Sequence, residues 1–285
     1  MGYEIRTMTR ADFALVLQWA AAEGWNPGKH DLDSFRDTDP TGFFVGVLDG
    51  QPIASLSAVA YDDSYGFVGF YIVKPEFRGR GYGLKIWNHG MAHLGNRTIG
   101  LDGVVAQQDN YRKSGFEIAT RNVRFVGTPS GDPMPLPGFS SPRLVEASSI
   151  PLPLLAAFDQ IYHPAPRATF LARWTRQPET IALAALAPDD SLRGYGAIRP
   201  AAETWRIGPL FAQTTEIART LFGALAAQTG GQSLCFDAPE ANPAAAALAR
   251  AFELEPVFPT ARMYTRPVPH VDHRGIYAVT SLELG

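Results

Sequence analysis

The chain has 285 residues, a net charge of −3, 46% hydrophobic and 19% charged residues, and a single cysteine. This is the composition of a globular protein of about two domains, and it excludes a fibrous or wholly disordered chain. Cys235 alone cannot form an internal disulfide, which fits a reducing, cytoplasmic setting. No run approaches the roughly 18 apolar residues of a transmembrane helix. The first ten residues lack the apolar stretch of a secretory signal. Residues 1–127 carry 13 basic and 14 acidic side chains and the remainder 12 and 14, so neither half offers a basic coat for nucleic acid.

The pattern predicts a strand at 3–7 and then a helix with Thr9 as N-cap and Phe13, Val16, Leu17 and Ala20 on one apolar face. Turn chemistry at 23–28 stops it. A short helix follows at 31–37, then two strands at 43–48 and 53–61 around Asp49-Gly50-Gln51-Pro52. Residues 65–73 are mostly apolar and read as a central strand. A glycine-rich loop, a helix at 83–94, a short strand at 98–101, a short helix at 107–114 and a strand at 117–126 complete the first half.

Eight prolines and glycines fall between Gly127 and Pro142, so a linker is placed at 128–142 between domains of 1–127 and 143–285. The second half repeats the order of elements. Strands are predicted at 144–147, 180–187, 194–199, 204–211, 233–237 and 257–266. Helices are predicted at 153–162, 170–176, 216–228 and 242–252. The tail, 276–282, offers one more strand to either sheet.

The sharpest motif is Val73-Lys74-Pro75-Glu76-Phe77-Arg78-Gly79-Arg80-Gly81-Tyr82-Gly83-Leu84. A buried strand enters a loop with glycine at alternate positions, then a helix. Glycine lets backbone N–H groups converge, and a helix start adds partial positive charge. With Lys74, Arg78, Arg80 and Lys85 against Glu76, the stretch makes a cradle for a pyrophosphate. It is not a P-loop, which needs G-x-x-x-x-G-K-[ST]. Nor is it a dinucleotide fingerprint, since Leu84 stands where the third glycine belongs.

Arg78-x-x-Gly81-x-Gly83 resembles the R/Q-x-x-G-x-G/A loop of the GNAT superfamily of N-acetyltransferases. Tyr111-Arg112-Lys113-Ser114-Gly115-Phe116 resembles the family's closing Y-x-x-x-G-F. The resemblance implies an α/β (α+β) fold of two tandem GNAT-like domains, each a mixed, mostly antiparallel sheet flanked by helices. The second half, with Ala212-Gln213-Thr214-Thr215 in place of the cradle and no tyrosine at 247–252, is a degenerate copy. It further implies acetyl-CoA as co-substrate and no metal. The cofactor would lie on Tyr71, Ile72, Val73, Arg78, Gly79, Arg80, Gly81, Tyr82, Gly83, Leu84 and Asn110. Strand 70–73 splays from its neighbour in the family, and an N–H of Ile72 or Val73 would polarise the thioester. By the same resemblance Tyr111 would be the general acid that protonates the departing thiolate, a packing tyrosine being the other reading. Glu23, Trp25, Asn26 and Asp102 are the candidate acceptor-side residues, with Glu23 and Asp102 as possible bases. His89 and His93 face one side of a helix without a third ligand nearby.

The function so implied is transfer of acetyl from acetyl-CoA to a primary amine, by direct attack in a ternary complex. A non-catalytic acyl-CoA sensor is the alternative. The expected partner is a small-molecule amine, with no nucleic acid and no membrane. Polyamine, amino acid, aminoglycoside and protein lysine are all open as acceptors.

Overall fold

Local chemistry starts the first helix where the sequence places it. After β1 (Tyr3–Thr7), Thr9 is extended and caps α1 (Arg10–Ala22). Its hydroxyl accepts from Asp12 N–H, and the Asp12 carboxylate accepts from Thr9 N–H at 2.7 Å, a reciprocal capping box. The chain continues through α2 (Asp31–Thr38), β2 (Phe43–Leu48), β3 (Gln51–Ala60), β4 (Tyr65–Val73), α3 (Tyr82–Leu94), β5 (Thr98–Val104), α4 (Gln108–Lys113) and β6 (Glu117–Gly127). These elements follow the sequence expectation to within a few residues at their ends. A computed structural model describes residues 2–130 and 141–285, so 131–140 of the expected linker lie outside the described residues.

The second half runs β7 (Arg143–Glu146), α5 (Leu152–Asp159), α6 (Ala168–Trp174), β8 (Ile181–Leu186), β9 (Leu192–Pro200), β10 (Trp205–Ala212), α7 (Thr215–Ala226), β11 (Leu234–Pro239), α8 (Pro243–Ala251), β12 (Glu255–Tyr264) and β13 (Ile276–Ala278). Its pairing repeats that of the first half. Three antiparallel pairs, β1–β2–β3–β4, lead to the parallel pair β4–β5. Likewise β7–β8–β9–β10 leads to the parallel pair β10–β11.

The two halves are less separate than a boundary at 128–142 suggests. Among the described residues all strands join one sheet, twelve of them in the order β1-β2-β3-β4-β5-β12-β6-β11-β10-β9-β8-β7, with β13 paired to β10 off this path. β12, from the second half, lies between β5 and β6, while β6 pairs β11 of the second half. The closing strands have therefore changed places. The sequence pattern could not show this, because each strand finds an equivalent partner in either half.

Packing reinforces the union. One apolar core draws Phe13, Phe35, Phe43 and Phe70 together with Phe170, Trp174 and Tyr195. Phe35 stacks on Trp174 at 5.8 Å between ring centroids. Each such buried aromatic contributes on the order of 2–3 kcal/mol by burial. On the opposite face, α3 covers the first half and α7 with α8 the second, each over its own core.

Candidate active site

The site begins where two strands part. Parallel pairing of β4 with β5 runs from Tyr65–Thr98 to Val68–Leu101 and ends there. β4 goes on to Val73, still paired with β3. A bulge follows the parting: the β3–β4 register shifts, and Phe70 has φ +45°. That conformation is costly for a bulky residue. It is held by burial of the Phe70 ring against Phe35, 6.0 Å between centroids, and by Ser55 Oγ donating to Phe70 O at 2.7 Å. Lys74 N–H is used on Ile53 O. Strand alternation therefore turns Ile72 toward β3 and leaves the N–H groups of Tyr71 and Val73 facing the gap. Of the two expected donors, Val73 is the one on the open edge.

At the far end of that edge the glycine loop turns into α3. Gly79 and Gly81 have φ +74° and +80°, and a Cβ at either would meet no atom within 4 Å. Both border the cavity, so side chains there would project into open space beside the helix start. Gly83 is needed for a different reason: its Cβ would stand 2.7 Å from Tyr71 Oη and 3.1 Å from Val73 Cγ2. The helix could not otherwise lie this close to β4.

The parted strands open a cavity of about 640 Å³. It gathers Tyr71, Ile72, Val73, Arg78, Gly79, Gly81, Gly83 and Leu84 on one wall, and Tyr111, Glu23, Trp25 and Asp102 elsewhere. Tyr111 is half-buried against Trp87, 5.5 Å between centroids. Burial, with Tyr71 nearby, pushes its phenol well above the ordinary tyrosine range, so it holds its proton.

Several expected residues stand elsewhere or are already engaged. Arg80 lies over the Phe77 ring at 5.9 Å, and Tyr82 packs on Tyr3; neither borders the cavity. Asn110 is exposed and donates to Gln107 Oε1 at 2.8 Å. Asn26 is buried as a clamp to the second half. Its Nδ2 donates to Thr204 Oγ1 at 2.8 Å, and its Oδ1 accepts from Glu203 N–H at 2.8 Å. Arg78 donates from Nε to Val73 O at 2.7 Å and pairs with Glu23, so this acid is neutralised by the cradle's own arginine. Asp102 is bound by Arg262 and by Asn122 Nδ2 at 2.8 Å. With both oxygens engaged, it is a structural acid rather than a ready base.

Among the wall residues that the sequence reading did not single out are Phe258 and Thr260 on β12, and Leu282 and Glu283 in the tail. Their prior signals were the strand expected at 257–266 and the tail's capacity to add one more.

The second half has the same opening, but filled. β10 pairs β11 from Trp205–Leu234 to Ile207–Phe236 and then leaves it. β13 enters there and pairs antiparallel with β10 at Leu210–Ala278 and Phe211–Ile276. The chain thus occupies its own second slot, whose flank lacks a glycine cradle. Among the described residues no group of three or more potential metal ligands is gathered, and no helix is long and apolar enough to cross a membrane.

A sheet whose fourth and fifth strands part beside a glycine-lined helix start defines an acyltransferase of the GNAT class. The chain belongs to this family: residues 7–116 match the acetyltransferase (GNAT) family model, and residues 155–278 match a second acetyltransferase (GNAT) domain model. Over 275 residues it is 32% identical to the holothin acyltransferase of Pseudoalteromonas sp. (strain SANK 73390), covering 96% of this chain and 92% of that protein. Its fold is similar to a putative acetyltransferase from Pyrococcus horikoshii, with TM-score 0.82, 22% identity, and coverage of 100% of this chain and 96% of that one. It is also similar to a tandem GNAT protein from the clavulanic acid biosynthesis pathway, with TM-score 0.62, 14% identity, and coverage of 94% and 100%.

Proposed function

We propose that this acyltransferase uses acetyl-CoA and acetylates a primary amine of a small molecule, both reactants being held together in one cavity. The observation that carries the reading is the open edge of β4, with a glycine-lined helix start at one end and Tyr111 on the wall. When bound, acetyl-CoA supplies an acetyl group activated as a thioester. The loop from Gly79 to Gly83 and the free N–H groups opening α3 hold its pyrophosphate, with the local positive charge in support. The exposed N–H of Val73 or Tyr71 hydrogen-bonds along the open edge and polarises the carbonyl, a donor typically worth ~3 kcal/mol. Tyr111, kept neutral by burial, donates its proton to sulfur.

The closed acceptor side favours a small molecule. β12 and the tail wall it off with Phe258, Thr260, Leu282 and Glu283, which suits an enclosed ligand. The relative's name pairs acyl transfer with holothin, so holothin is the first acceptor to try. Calorimetry with acetyl-CoA should find one site per chain. A thiol-release assay over holothin, n-butylamine, spermidine and lysine should find turnover. Absence of acetyl-CoA binding overturns the reading; binding without transfer to any amine favours the sensor.

A further inference from the structure

The tail brings to the cavity one charged side chain that the chemistry above leaves unused. Glu283 is 3% exposed and borders the cavity beside Leu282. Its Oε1 accepts from Arg206 Nη1 at 3.2 Å, while its Oε2 is buried without a hydrogen-bond partner. The backbone here is pressed onto β4: a Cβ on Gly69 would lie 2.1 Å from Glu283 O. Gly69 is the first residue past the last β4–β5 pair. Glu283 therefore stands at the closed end of the slot, and the glycine loop stands at the other.

The charged groups around it are already matched. Arg206 on β10 also donates from Nη2 to Asp237 Oδ2 at 2.9 Å, and Asp237 on β11 is held by Arg124 of β6 at 2.8 and 3.1 Å. Asp102 on β5 is taken by Arg262 of β12. Arg124, Arg206, Asp237 and Glu283 balance as two cations and two carboxylates, and none donates to Oε2. Buried acceptors are rarely left in this state unless a ligand or water completes them.

We propose that Glu283 receives the acceptor: its free oxygen accepts an N–H of the incoming amine in its ammonium form and takes one proton from it, leaving the neutral amine. An N–H bond breaks, an O–H bond forms at Oε2, and nitrogen keeps the electron pair with which it attacks. Arg206 acts through Glu283 as a positioning residue. The second half then contributes to the chemistry as well as to the walls. The assignment rests on the amine reading above.

The test uses the full chain with acetyl-CoA, and holothin and n-butylamine as acceptors. Glu283→Gln keeps the size and an oxygen for Arg206 but removes the charge. Its kcat/KM for transfer should fall ~10²–10⁴-fold. Its dissociation constant for acetyl-CoA should stay within a few-fold of wild type. The acidic limb of the kcat/KM profile should vanish in Glu283→Gln and return, with part of the rate, in Glu283→Asp. Transfer within a few-fold of wild type with the limb intact overturns the assignment. So does a parallel loss of acetyl-CoA binding that Glu283→Asp does not restore, since that marks a structural role. A wild type that binds acetyl-CoA but acetylates neither compound overturns the amine reading itself and this assignment with it.

Discussion

Arg262 grips Asp102 across a sequence separation of 160 residues, its Nε and Nη2 reaching the two carboxylate oxygens at 2.9 and 2.7 Å. The Asp102 side chain is fully buried. Burial pushes its carboxyl up while Arg262 pulls it down. The pair joins β5 to β12 at the seam between the halves. Removing one partner leaves a buried charge alone. Asp102→Asn should therefore cost about 3–5 kcal/mol in urea unfolding. Replacing both residues, as in Asp102→Leu with Arg262→Met, should cost distinctly less. A single variant as stable as wild type would show that the pair is not buried in solution.

Gly81→Val tests the cradle. At φ +80° a β-branched side chain is strained by roughly 1–2 kcal/mol, so the melting temperature should fall by only a few degrees. The new side chain fills the open space beside the helix start, and acetyl-CoA binding should disappear from calorimetry. Normal binding would move the phosphate site elsewhere.

Tyr111→Phe keeps the ring on Trp87 and removes the hydroxyl. The kcat should fall ~10²–10⁴-fold while the acetyl-CoA dissociation constant changes little. Burial raises the folded phenol above its ordinary value of about 10, so deprotonation of the acid, and the loss of rate it brings, is displaced to higher pH. No alkaline decline assignable to this residue should occur below about pH 10. A decline near neutrality that Tyr111→Phe abolishes would contradict the buried placement.

A chain ending at Gly127 should not fold to a binding-competent state. It would lack β12, which covers β5, and would leave β6 without β11 or β12. Exposed edges of this kind aggregate. Supplying residues 141–285 as a separate chain should restore solubility and acetyl-CoA binding together. A soluble, binding-competent fragment of 1–127 alone would mean that β6 can return to its own half.

What the sequence makes legible is what local chemistry decides. The Thr9 cap, the apolar face of α1 and the alternate glycines after Val73 act within a few residues, and each produces the element expected. Tyr111 follows from its motif and does border the cavity. The partners that engage Asp102, Asn26 and Asn110 are not legible, because they come from distant strands or depend on which way a short helix faces. The exchange of β6 and β12 leaves no local trace. The charge on Glu283 carries no signal until the tail is traced back to β4.

The exchange of closing strands also bears on how the protein is made. As the chain emerges from the ribosome, β5 has one unsheltered edge until residues 255–264 follow. Pairings this remote in sequence form slowly, and the interval is the one most open to misassociation. The glycine cradle is synthesised early, but its cavity has no far wall until Phe258, Thr260, Leu282 and Glu283 have followed. The second half cannot be discarded while the first keeps its sheet and its cavity wall.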